Sequence, residues 1–331
     1  MMLQTTWVGE EAAVLMAVMQ GWFEGQSPGL RQRQLLAEVS QRCSPENTGV
    51  KVGTRDALSA LDELHRREAL RLLLVLTCLG DTLDDAQLTR LEQLNRQFKQ
   101  PTSWPTTVKL GRDGKVKRAT LQLGRWAPDG KALLPAVWKE GGLFGVLSAL
   151  RSAQGKGPAN PKIAARYEAL EGLPGDSLGR AFFEHMKSRS LPMPGQKGGL
   201  PEPAMHHDLM HVITGFDTDA RGEGRLAGFY AGMATRHPVK GADPFAFIVV
   251  GLMTFHLGFK VGPSFVGAET GVIEPHEMMT FIELGHRVPF SVFTEWKFAD
   301  DFAMPLSAVR QNFGLHADGA LAMLTEPVRR L

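Results

Sequence analysis

Apolar positions recur every three to four residues through the first hundred residues of the chain, a period that predicts helices. Glu10 to Phe23 carries Ala, Val, Leu and Met at that spacing. Arg55 to Leu79 sets Leu58, Leu61, Leu64, Leu70, Leu73 and Val75 in the same rhythm and stops at Gly80. Thr82-Leu83-Asp84-Asp85 then supplies an N-cap and an acidic first turn for a helix through Phe98. Two prolines in residues 99–106 break the pattern. Val108-Lys109-Leu110, a turn at Arg112-Asp113-Gly114-Lys115, and Ala119 to Leu123 predict a β-hairpin over Thr107 to Leu123. Ser152 to Pro161 reads as a linker, and Leu191 to Pro201 as a Gly/Pro loop that either gates a site or merely connects. The fold class expected is therefore mainly α. It has a helical interaction or regulatory module (1–98), a hairpin and linker region (99–170) and a C-terminal helical domain (171–331).

Pro244 to Phe259 carries no formal charge. A spanning helix needs about 20 apolar residues, and this run is shorter and is interrupted by two glycines and His256. It reads as a buried helix, or as the lining of a tunnel for an apolar chain.

At 331 residues the chain is long enough for two cores. A net charge of +2 argues against a nucleic-acid partner. With only Cys43 and Cys78 there is no disulfide framework and no thiolate metal site, which fits a reducing compartment. The first residues lack a basic, apolar leader pattern. Together these predict a cytoplasmic protein.

Histidine is distributed unevenly: of ten, only His65 precedes residue 184. His206, His237 and His316 are expected at the surface. His207 and His211 stand one helical turn apart and so share a face. Asp208 adjoins His207, and Glu223 follows Gly215-Phe216-Asp217-Thr218-Asp219, which reads as a helix stop and a new start. Two imidazoles with one or two carboxylates suit a divalent cation of intermediate hardness, Zn first, then Fe, Mn or Co. His207, Asp208, His211 and Glu223 are thus the candidate metal and catalytic residues. Polar residues merely capping and pairing across a helix turn are the alternative. If Asp208 is not a direct ligand, it orients a histidine. A second acidic cluster, Glu274, His276, Glu277, Glu283 and His286, contains one Glu-x-x-His of the di-iron kind but lacks its second copy. It reads mainly as helix surface, with His276 or Glu277 as candidate outer residues of the site.

His207-Asp208-x-x-His211, then eleven residues, then Glu223, resembles the signature of the ubiquinone (coenzyme Q) biosynthesis protein 4 family. Ser177-Leu178-Gly179-Arg180-Ala181-Phe182-Phe183, Glu295-Trp296 and Pro305 to Leu315 are similar to that family's flanking segments, so the likeness covers about residues 171 to 320. Leu79-Gly80-Asp81 with the acid-rich helix start after it resembles the tellurite-resistance protein B-like helical module. The first resemblance implies a helical metal- and lipid-binding domain and a homodimer. Its implied chemistry is oxidative decarboxylation of a prenylated aromatic ring, with hydroxyl replacing the C1 carboxylate in ubiquinone-type biosynthesis. It also implies contact with the inner face of a membrane and with other quinone-biosynthesis proteins. A non-catalytic prenyl-lipid scaffold with a structural metal, and a metal-dependent hydrolase, are the alternatives.

Overall fold

A computed structural model describes residues 7–43, 54–135, 137–138, 159–261 and 269–325. The protein is mainly helical, as its apolar period requires. In the first half lie α1 (Gly9–Gly21), α2 (Leu30–Arg42), α3 (Thr54–Ala60), α4 (Glu63–Cys78), α5 (Asp85–Gln97), α6 (Trp104–Arg112) and α7 (Val116–Trp126). A further helical stretch covers 128–135. The second half contains α8 (Pro161–Glu168), α9 (Leu178–Ser188), α10 (His206–Thr214), α11 (Ala220–Arg236), α12 (Phe245–Gly251), α13 (Pro275–Arg287) and α14 (Leu306–Asn312).

The expected hairpin is absent: Thr107 to Leu123 forms α6, a turn and α7. Trp104, Val108 and Gly111 are buried on one helix, and Ala119 and Leu123 on the next, so the working period is three to four rather than two. Pro105 sits in the first turn of α6, where proline is tolerated, so it opens a helix instead of ending one. Gly114, at φ 69°, turns the chain between the two helices. The expected helix from Arg55 to Leu79 is divided into α3 and α4, because Asp62 caps α4 through the His65 N–H at 2.8 Å.

Helices α11 and α13 form the centre of the second half. At Gly232 an added Cβ would lie 1.9 Å from the Ile282 carbonyl, and at Gly285 1.9 Å from that of Phe229, so the two backbones touch. The apolar run after Pro244 becomes α12 and a π-helical turn, Leu252–His256, both largely buried. No helix among the described residues is long and apolar enough to cross a membrane.

The halves are tied by buried or part-buried charges. Arg71 of α4 donates twice to Asp243, at 2.7 and 2.8 Å, and the Trp104 indole donates to the same carboxylate. From α2, Arg31 pairs with Glu274 at 3.0 Å and Arg42 with Glu283 at 2.5 Å. His276 meets Glu38 of α2 at 3.1 Å. The linker expected over Ser152 to Pro161 lies mostly outside the described residues. The loop Leu191 to Pro201 is fastened to α8: Asn160 donates its N–H to Gly195, and Gln196 bonds Glu168 at 3.0 Å.

Candidate metal centre

Helix α10 ends at Gly215, whose left-handed backbone (φ 75°) returns its N–H to the His211 carbonyl. Four residues later the Asp219 carboxylate accepts the Gly222 N–H at 2.7 Å and starts α11. The stop and restart legible in the sequence thus fold Glu223, in the first turn of α11, back over the histidine face of α10. The positive end of the α11 dipole favours a carboxylate there.

His207, His211 and Glu223 each bring a ligand atom within 4.8 Å of the others. His211 Nε2 lies 3.3 Å and His207 Nε2 3.6 Å from the Glu223 carboxylate. The two imidazole centroids are 5.0 Å apart, with their planes at 81°. Asp208 stands next to this group, buried, but is not one of its members.

The tautomer of His211 decides what the group can hold. Its Nδ1 lies 3.2 Å from the Phe216 carbonyl, which can only accept, so the proton sits on Nδ1. Its Nε2 is then left facing a Glu223 carboxylate oxygen at 3.3 Å. A proton or a metal cation can sit between these groups, and the three converging ligand atoms, all within 4.8 Å of one another, fit a divalent ion.

The surrounding charges follow. Burial opposes charge on His207, yet the Glu223 and Asp208 carboxylates push its pKa up to about 9. Glu223, although buried, is held well below the usual carboxylate range by His207 and His211. Burial raises Asp208 against the pull of the same histidines. The side chain of His207 keeps 34% of its surface exposed while that of His211 is fully covered, so the group opens on the His207 side.

Three neighbours were missed in the sequence. Tyr230 lies two turns beyond Glu223 on α11, a spacing of seven that would have placed it on the same face. Its ring, 6.4 Å from that of His207, continues into an aromatic wall with Phe247 and Phe293, at 5.3 and 5.2 Å. His185 of α9 stacks on His211, and burial pulls its pKa down to about 3. Nothing but the density of histidine in the second half hinted at it. Arg310 of α14 caps the end of α10, donating to the Val212 and Ile213 carbonyls at 3.0 and 2.9 Å.

His206, expected at the surface, is buried, edge-on to Phe293 at 5.4 Å. Its helix packs on α11, and its Nδ1 reaches the Pro203 carbonyl. His237 is part-buried against Val288, while His316 is exposed. The Ser177 and Pro305 segments, singled out separately, pair with each other: Leu178 and Gly179 donate to Met304 and Phe302, and Leu306 donates to Asp176.

Fold and site together define a mainly helical protein with a two-histidine, one-carboxylate group open on one side. No family model and no curated protein matches the chain.

Proposed function

We propose that His207, His211 and Glu223, with Asp208 beside them, bind a divalent cation. On this reading the protein is a metal-dependent enzyme acting on the ring of a prenylated aromatic quinone precursor. The observation that carries the metal is the convergence of His207, His211 and Glu223, whose ligand atoms all lie within 4.8 Å of one another. Zn fits two histidines and a carboxylate with an open side, as do Fe, Mn and Co. The likeness of residues 171 to 320 to the ubiquinone biosynthesis protein 4 family supports the substrate class. Tyr230, Phe247 and Phe293 pack together as an aromatic cluster beside His207, an apolar neighbourhood that suits an aromatic substrate.

The reaction is oxidative decarboxylation: the bond from C1 to the carboxylate breaks and releases carbon dioxide, and a C–O bond to hydroxyl forms at C1. Dioxygen accepts the two electrons, so that ring carboxylic acid, water and dioxygen give ring hydroxyl, carbon dioxide and hydrogen peroxide. A bound cation supplies Lewis-acid stabilisation of the charge that develops on the ring. The chain's own residues do the rest. Phe216 fixes the proton of His211 on Nδ1, Glu223 balances the imidazoles, and the aromatic wall excludes water and orients the ring. The wider reading places the protein in the cytoplasm as a homodimer. There it touches the inner face of a membrane and other quinone-biosynthesis proteins, without nucleic acid.

Elemental analysis of the purified protein beside a His207→Ala/His211→Ala variant is the test. Near-stoichiometric metal, lost in a variant that still folds, supports the centre and names the ion for decarboxylation assays. Absence of metal after reconstitution with Zn, Mn, Fe and Co sinks the catalytic reading in favour of a lipid-binding scaffold. Turnover of an ester or amide without dioxygen identifies a hydrolase instead, since the same donors activate water.

A further inference from the structure

We propose that His185 is a positioning residue of this centre: its ring seats the imidazole of His211 and so keeps Nε2 of that ring turned to Glu223. The proposal rests on the reading of His207, His211 and Glu223 as a metal site.

His211 has to hold one ring orientation for its lone pair to face the carboxylate. One restraint acts on the ring edge, the Nδ1–H bond to Phe216, and at 3.2 Å it is at the long end of the N–H···O range. By itself it leaves the ring free to rock about the bond. The second restraint acts on the ring face. His185, on α9, lies nearly parallel to His211, with 18° between the planes and 6.0 Å between centroids. An edge and a face together fix a plane.

His185 is nine-tenths buried, and its Nε2 is covered with no hydrogen-bond partner. A leucine would fill the space without leaving a buried nitrogen unpaired, but it would present no flat ring face to the His211 imidazole. The helix that brings it is placed independently of the metal residues. Ser177 caps α9 through the Arg180 N–H, and Leu178 and Gly179 are held by the Met304 and Phe302 carbonyls. The face presented to His211 is therefore set before any ion binds, which is how outer partners tune ligand histidines.

The test is Co(II) binding to the full chain and to His185→Ala, His185→Phe and His185→Gln, read by affinity and by the visible Co(II) bands. His185→Ala should weaken binding by about ten- to a hundredfold and shift the bands. His185→Phe, which restores a flat ring, should recover most of the affinity and the parent bands, and His185→Gln should not. Parent-like affinity and bands in His185→Ala would overturn the proposal, as would recovery by glutamine but not phenylalanine. Should the alanine variant fail to fold, the phenylalanine and glutamine pair still decides. NMR of the metal-free chain gives a second readout: the His211 Nδ1 proton should exchange slowly in the parent and fast in His185→Gln. Equal exchange in both counts against His185 whatever the metal result. No Co(II) binding by the parent instead strikes the metal reading itself.

Discussion

Two clusters of histidine and glutamate lie in the second half of the chain, and the protein uses them in opposite ways. His207, His211 and Glu223 converge with no arginine or lysine paired to Glu223 among the described residues, so the balancing charge must come from a proton or an ion. Glu274, Glu277 and Glu283 are each met by arginine: Arg31, the pair Arg221 and Arg225, and Arg42. His276 turns to Glu38. Both clusters combine histidine and glutamate within a short stretch of chain. What separates them is the kind of cation the fold offers: imidazoles, whose proton a metal ion can replace, in the first, and guanidiniums in the second. On the reading proposed above the first receives a metal ion, while the second braces α13 against α2 and α11.

The largest effect that would break this contrast is on metal affinity. His211→Ala should lower it on the order of a thousandfold, about 4 kcal/mol, whereas Glu277→Gln should leave it within a few-fold. Equilibrium dialysis of both variants against Zn(II) checks this, and comparable losses in both would mean that the clusters are not distinct. Stability should respond in reverse. Glu277, with a side chain 12% exposed, accepts from two guanidiniums, and removing its charge leaves them facing a neutral amide. With Arg221 half exposed, a loss of roughly 2–3 kcal/mol in urea unfolding is expected for Glu277→Gln.

Acid should erase that difference in a defined window. Burial opposes ionisation of Glu277, but Arg225 and Arg221 hold its pKa down at about 2. A carboxylate depressed in the folded state stabilises fully above its unfolded pKa, near 4.5, and loses this as pH falls through the folded value. The gap between the parent and Glu277→Gln should therefore be constant above pH 5 and close between about 4.5 and 2. A gap that widens on acidification would place the partner charge elsewhere.

How far the sequence could be read follows the same line. The helices around α1, α4 and α5, the turn of α10 that aligns His207 with His211, and the restart before Glu223 are local events, set by apolar period, Gly215 and the Asp219 cap. They were legible because cause and effect lie within a few residues. The arginine partners of the second cluster come from residues about 50 or 240 positions away in the chain, and so do not appear in a spacing. His185 and the aromatic wall are likewise products of packing. The hairpin over Thr107 to Leu123 failed differently: three alternating residues outweighed a longer buried period that only the packing against α5 and α12 reveals.

The smallest effect concerns a third acidic group, Asp81, Asp84 and Asp85 before α5, whose density also suggests a cation site. Here the backbone and one side chain supply the positive partners. Asp84 accepts the Ala86 and Gln87 N–H groups at 2.7 and 3.2 Å, and Asp85 pairs with Arg112 of α6. A capping carboxylate already satisfied by two amides has little left to offer an ion. Asp84→Ala should therefore cost about 1 kcal/mol, a downward shift of about 2 °C in a chain of this length, and leave metal stoichiometry unchanged. If thermal unfolding were unaltered but bound metal fell, the cap would be the lesser role of Asp84. The rule separating the two larger clusters, that an acid matched by the fold is not free for an ion, would then fail at its simplest instance.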